Sequence, residues 1–117
     1  MLSLADNADI FLISGITDMR KGVDRLVARI AETCTEDVFK GGYFLFCNRH
    51  RTTIKIIYWD RNGFCMWYKR LDKDKFWWPM NIDEVSKYDA CKIRWILDGL
   101  DPNEINGHKK LDYQIIY

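Results

Sequence analysis

The spacing of hydrophobic residues changes several times along the chain, and each change marks an element. Asp9-Ile10-Phe11-Leu12-Ile13-Ser14 is a short, nearly continuous apolar run closed by Gly15, the pattern of a buried strand. From Met19 onward the apolar positions recur at helical spacing through Val23, Leu26, Val27, Ile30 and Cys34. Arg20, Lys21, Asp24, Arg25 and Arg29 fall on the opposite face. This predicts an amphipathic helix over about residues 18–34. Thr17 is its expected N-cap, with Asp18 in the first turn, where a carboxylate suits the helix dipole. Gly41-Gly42 breaks any helix at the end of the loop 35–42.

Three strand-like runs follow, at about 43–49, 53–60 and 64–71. The first, Tyr43-Phe44-Leu45-Phe46-Cys47, is apolar on both faces and suits a central strand covered on both sides. The second and third are β-branched and aromatic, the composition that fits a pleated surface. Asn48 to Thr52 makes the first turn, and Asn62-Gly63 signals a hairpin between the last two runs. The charged stretch Asp72-Lys73-Asp74-Lys75 and then Phe76-Trp77-Trp78-Pro79 should be extended, because proline cannot continue a ladder. A second helix is expected at about 84–98, stopped by Gly99 and Pro102. The sum is one α+β domain over residues 1–117: an N-terminal strand, an amphipathic helix, an antiparallel β-meander and a second helix, with 101–117 a possible tail.

Composition adds class and compartment. At 48% hydrophobic and 30% charged, the chain is an ordinary globular sequence. No continuous apolar run exceeds five residues, too short to cross a bilayer. The opening Met1-Leu2-Ser3-Leu4-Ala5-Asp6 turns acidic before a signal-peptide core can form, so a cytoplasmic protein without membrane contact is expected. Cys34, Cys47, Cys65 and Cys91 lack the C-x-x-C spacing, and His50 and His108 lie far apart. Free thiols and no metal or other cofactor follow as expectations. Net charge is +1 but unevenly placed: −3 over residues 1–39, +6 over 40–79 and −2 over 80–117. A basic middle either offers a patch to an anionic partner or is neutralised by the flanks folding over it.

The string Gly15-Ile16-Thr17-Asp18-Met19-Arg20-Lys21-Gly22-Val23-Asp24 resembles a segment of the TnpB accessory proteins of IS-66-type insertion sequences. The likeness continues through Phe44-Leu45-Phe46, Ile54-Lys55-Ile56-Ile57-Tyr58-Trp59-Asp60, Asn62-Gly63-Phe64-Cys65, Lys69-Arg70-Leu71 and Phe76-Trp77-Trp78-Pro79, roughly residues 10–80. The resemblance implies a protein encoded beside a separate transposase that assists transposition of the element. It is not the larger RNA-guided nuclease that shares the TnpB name.

Three constellations offer chemistry for such a role. Arg20 and Lys21 at the expected helix start oppose the dipole by ~0.3–1 kcal/mol. With free N–H groups and Gly22 beside them, they would make a phosphate site; alternatively Arg20 pairs with Asp18 or Asp24. Arg49 and Arg51 flank His50 in the Asn48–Thr52 turn, which suits gripping nucleic-acid backbone or is merely solvated. Lys69 and Arg70, with Lys73 and Lys75, interleave with Trp67, Tyr68, Phe76, Trp77 and Trp78, the mixture found where bases stack. Adjacent rings in an extended segment face opposite sides, so one of Trp77 and Trp78 is expected to be free for a partner. Asp18, Asp24 and Asp60 are of the type that holds a divalent ion, but Asp18 suits the helix start and Asp60 the hairpin turn, and no nucleophile–base signature or phosphate loop accompanies them. The expectation is a non-catalytic factor that contacts DNA at element ends, the transposase, or both, with a protein–protein adaptor that never meets DNA as the alternative.

Overall fold

The run Ile10–Ile13 is buried along its whole length and forms the first strand, β1, in the computed structural model of the chain, which describes residues 3–18, 20, 22–81 and 84–104. Helix α1 spans Val23–Thr33, and a single 3-10 turn at Val38–Lys40 leads into β2 at Tyr43–Cys47. Strands β3, Thr53–Asp60, and β4, Gly63–Arg70, complete the expected meander. After a long strap come β5, Val85–Tyr88, and helix α2, Ala90–Leu97. The strands form one sheet in the order β4-β3-β2-β1-β5. All neighbours are antiparallel except β1 and β2, which run parallel because α1 crosses between them.

Strand alternation divides the core into two layers. Phe11, Ile13, Phe44, Phe46 and Ile57 point to one face, where Leu26 and Ile30 of α1 pack on them. Ile10, Leu12, Leu45, Cys47, Ile54 and Ile56 point to the other, beneath Ile93, Ile96 and Leu97 of α2. Residues 44–47 are therefore wholly buried, as a strand apolar on both faces requires. Leu26 and Ile30 are each 0% exposed. Burial of such a side chain stabilises by ~1.5–3 kcal/mol, so a few positions anchor α1.

Three boundaries depart from the sequence pattern. Helix α1 starts at Val23 rather than about 18, and Gly22, not Thr17, occupies its N-cap position, with no side-chain cap bond. The cause is tertiary: Thr17 N–H donates to Cys47 O at 2.8 Å, tying the preceding segment to the end of β2. Asp18 Oδ1 then accepts from Arg20 N–H at 2.9 Å, a local turn that competes with helix. Second, residues 85–88 are a strand, not the first turn of a helix. They pair with the otherwise open side of β1, and Asp89 caps α2 by accepting from Lys92 N–H at 2.8 Å. Third, the β3–β4 turn falls on Arg61-Asn62, with the positive φ of 54° at Arg61 while Gly63 already pairs with Asp60. The stop at Gly99 is as expected: its φ is +83°, and Gly99 and Leu100 N–H bond Ile96 O and Trp95 O, each at 2.9 Å. Lys21 and the tail from 105 onward lie outside the described residues. Among the described residues no helix is long and apolar enough to cross a membrane.

Candidate nucleic-acid interface

The segment leaving β1 is held from several sides. Gly15 takes a φ of +81° and donates its N–H to Pro79 O at 2.9 Å, a conformation that costs glycine little. Thr17 is 3% exposed, and its Oγ1 accepts from Arg29 Nη1 of α1 at 2.8 Å. Beyond it, Asp18 grips Arg20 in a fork: Nε to Oδ1 at 3.0 Å and Nη2 to Oδ2 at 2.9 Å. The Asp18 carboxylate, by hydrogen bond and then by charge, holds the Arg20 guanidinium even more firmly protonated than usual. The Arg20 side chain is 90% exposed all the same. Its free edge is aimed at solvent by a short anchored neighbour.

The basic turn is equally ordered. Asn48 Oδ1 accepts from Thr52 N–H at 2.8 Å and Thr53 N–H at 3.0 Å, while Asn48 Nδ2 donates to Thr52 Oγ1 at 3.0 Å. Arg51 sits in the left-handed region at φ 58°, and its carbonyl accepts from Phe76 N–H at 2.7 Å, so the strap ties down the back of the turn. Arg51 is half-buried as a result, whereas Arg49 and His50 at the tip are exposed.

These two segments meet. Because Thr17 is bonded to the last residue of β2 and the turn begins one residue later, Ile16, Thr17, Asp18 and Arg20 face Asn48, Arg49 and His50 across a groove of about 550 Å³. Past the Asp18–Arg20 pair a second hollow of about 540 Å³ continues to Gly22, Asp24 and Arg25 at the start of α1. Gly22 leaves open space where a Cβ would stand, and as the N-cap of α1 it provides no side-chain cap bond. Two of the three constellations read from sequence thus form one surface. It carries the exposed guanidiniums of Arg20 and Arg49 and the imidazole of His50 beside the apolar Ile16, with the Asp18 carboxylate engaged by Arg20.

The third constellation is dispersed. Lys69 and Arg70 point to opposite faces of β4, and Lys69 Nζ donates to Leu97 O at 2.8 Å, closing the C-terminal end of α2. Trp78 is 3% exposed, with its Nε1 bonded to Ile13 O at 3.1 Å, so it belongs to the core and is not a docking ring. Trp77 is half-buried, with its ring 6.4 Å from that of Tyr88. Both rings are drawn inward because the strap crosses beneath the sheet on the α2 side, where Phe76 also inserts. Arg70 remains exposed at the sheet edge. Asp18 and Asp24 line one hollow, but Asp60 does not join them: it pairs with Arg61 at 3.6 Å at the far hairpin, and no metal-binding group of three His, Cys, Asp or Glu occurs among the described residues. Sequence reasoning named His50 only as part of the basic turn and did not place Ile16 in the groove or Arg25 in the adjoining hollow. The signal available was Asn48, whose amide is suited to locking a turn.

Comparison with known proteins follows the same stretch of chain. The family model described as IS66 Orf2 like protein matches residues 8–107. The chain is 31% identical over 101 residues to "Uncharacterized protein y4hO" of Sinorhizobium fredii, covering 86% of this chain and 88% of the relative. It is 29% identical over 84 residues to "Uncharacterized protein y4jC" of the same organism, covering 72% of each. No solved structure matches.

Proposed function

The chain belongs to the IS66 Orf2-like family of insertion-sequence proteins, and from that premise we propose that it is a non-catalytic accessory factor that holds DNA phosphates at the element's ends while a separate transposase acts. The observation that carries this reading is the shared groove in which Arg20 and Arg49, twenty-nine positions apart in sequence, stand exposed on opposite walls. Arg20, already held by Asp18, loses little conformational freedom on gripping a phosphate. Backbone contacts of this kind set affinity and register without reading bases. Of the carboxylates that could serve phosphoryl transfer, Asp18 is engaged by Arg20 and Asp60 lies apart beside Arg61, which favours binding over cleavage.

The test is equilibrium binding of duplex DNA from the element's ends, with capture of the transposase measured in parallel. Binding at low salt that weakens steeply as salt rises supports phosphate contact. No DNA binding even at low salt, with transposase capture retained, replaces this reading with that of a protein–protein adaptor.

A further inference from the structure

Strand β4 is the long free edge of the sheet. Its inner side pairs with β3 without interruption from Gly63 to Arg70, and among the described residues no strand pairs with its outer side. Every second residue along this eight-residue strand therefore presents unpaired N–H and C=O groups outward. The devices that usually blunt an edge are missing over most of this length. There is no bulge in the register, no proline and no left-handed residue in the strand, and charge is confined to Lys69 and Arg70 at one end. The opposite edge, β5, has only four residues and carries Lys87 within it, paired to Asp9 at 3.0 Å.

The two faces of β4 also differ. On one, α2 closes over the strand through the Lys69–Leu97 bond. On the other, α1 stops short, leaving Met66 41% and Tyr68 62% exposed. This apolar strip continues into Phe39, 57% exposed, whose ring lies 5.0 Å from Trp59 and 5.6 Å from Phe64. A hydrogen-bonding edge beside an uncovered aromatic face calls for another strand with apolar side chains on the same side.

We infer that this strand is β4 of a second copy, paired antiparallel about a two-fold axis through Met66, so that two five-stranded sheets become one. The sequence of β4 is self-complementary in that register. A two-fold axis normal to the sheet keeps each residue on its own face, so opposed positions must differ by an even number. Centred on Met66, Phe64 meets Tyr68 of the other copy, Cys65 meets Trp67, and Lys69 and Arg70 meet the uncharged Gly63 and Asn62. No cation then stands directly opposite a cation, and the aromatic pairs add ~0.2–1 kcal/mol each. Centring on Trp67 instead sets Phe64 against Arg70 and Cys65 against Lys69, a poorer match.

Sedimentation equilibrium of the full chain tests this. The expected mass is twice 14.0 kDa. Met66→Glu, which places two carboxylates face to face at a half-exposed position, should give a monomer with unchanged circular dichroism. Under mild oxidation Met66→Cys should form a covalent dimer beyond the wild-type background. Its two copies are directly opposed at about 4.5–5.5 Å between Cα atoms, within disulfide reach. Tyr68→Cys should not, since its copies sit four positions apart, roughly 13 Å along the strand. A monomeric wild-type chain overturns the inference, leaving the edge to the chain's own tail or to a transposase strand. So does a dimer that survives Met66→Glu, or one in which Tyr68→Cys crosslinks as readily as Met66→Cys.

Discussion

Replacing Asn48 with alanine isolates the element that gives the basic turn its shape. The side chain makes three hydrogen bonds, two accepted from Thr52 and Thr53 N–H and one donated to Thr52 Oγ1. Each contributes about 0.5–1.5 kcal/mol net. Part-buried backbone donors left without a partner add to the loss, while water entering the turn offsets some of it. The expected cost is about 2–3 kcal/mol, with no volume-driven collapse because the site is a turn and not the core. For a domain of this size that lowers Tm by roughly 8–12 °C. Asn48→Asp is the informative comparator. It keeps both backbone-accepting bonds and loses only the donor, so it should cost about 1 kcal/mol in stability. It also sets a carboxylate beside Arg49, so DNA binding should weaken more than stability does. Thermal unfolding followed by circular dichroism at fixed pH reads the first quantity, and binding at fixed salt reads the second. A loss for Asn48→Ala below about 0.5 kcal/mol, the range of an ordinary surface substitution, refutes the claim that this amide organises the turn.

Other expected outcomes follow from the same geometry. Lys69→Met keeps the apolar stem but removes the bond to Leu97 O at the end of α2. Urea unfolding should show a loss of about 1–2 kcal/mol, while the salt dependence of DNA binding stays as in the wild type. Burial pushes the Cys47 thiol up to about 12 from the ordinary 9.0. Below pH 9 folded and unfolded chains both hold the proton; between about 9 and 12 only the folded chain does, so stability should fall as pH rises through that window. Cys47→Val should fall less steeply over it, and a thiol reagent at neutral pH should modify exposed Cys91 well before Cys47.

How much of this was legible in the sequence depends on whether the cause was local. Strands β2, β3 and β4 were readable because their apolar and β-branched runs match a pleated surface and are bounded by turn residues. The helical stripe from Val23 to Cys34 was readable because its apolar residues recur at the period of a helix. The start of α1 was not, since it is decided by Thr17 bonding to Cys47 across the fold. Nor was β5: Val85-Ser86-Lys87-Tyr88 has no strong pattern, and becomes a strand because β1 offers an unpaired side. Trp78 looked available from its neighbours in sequence, yet the strap carries it under the sheet to Ile13 O. The groove itself joins two segments that sequence could nominate separately but could not place side by side. The expected phosphate role of Arg20 changes accordingly. In the proposed role it acts not from a helix terminus but from a turn held by Asp18, lining the same groove as Arg49.

The central claim is that Arg20 and Arg49 hold phosphates together. Fluorescence anisotropy with labelled end duplex, over a sodium chloride series, measures it through the slope of log affinity against log salt. Each phosphate neutralised contributes about 0.9 to that slope. Arg20→Ala/Arg49→Ala should therefore flatten the wild-type slope by roughly 1.8. Arg61→Ala removes an equally exposed cation at the other end of the eight-residue β3, about 25 Å away at ~3.3 Å per residue, and should leave the slope unchanged. A double variant whose slope equals that of the wild type, or an Arg61→Ala slope reduced as much, contradicts the account.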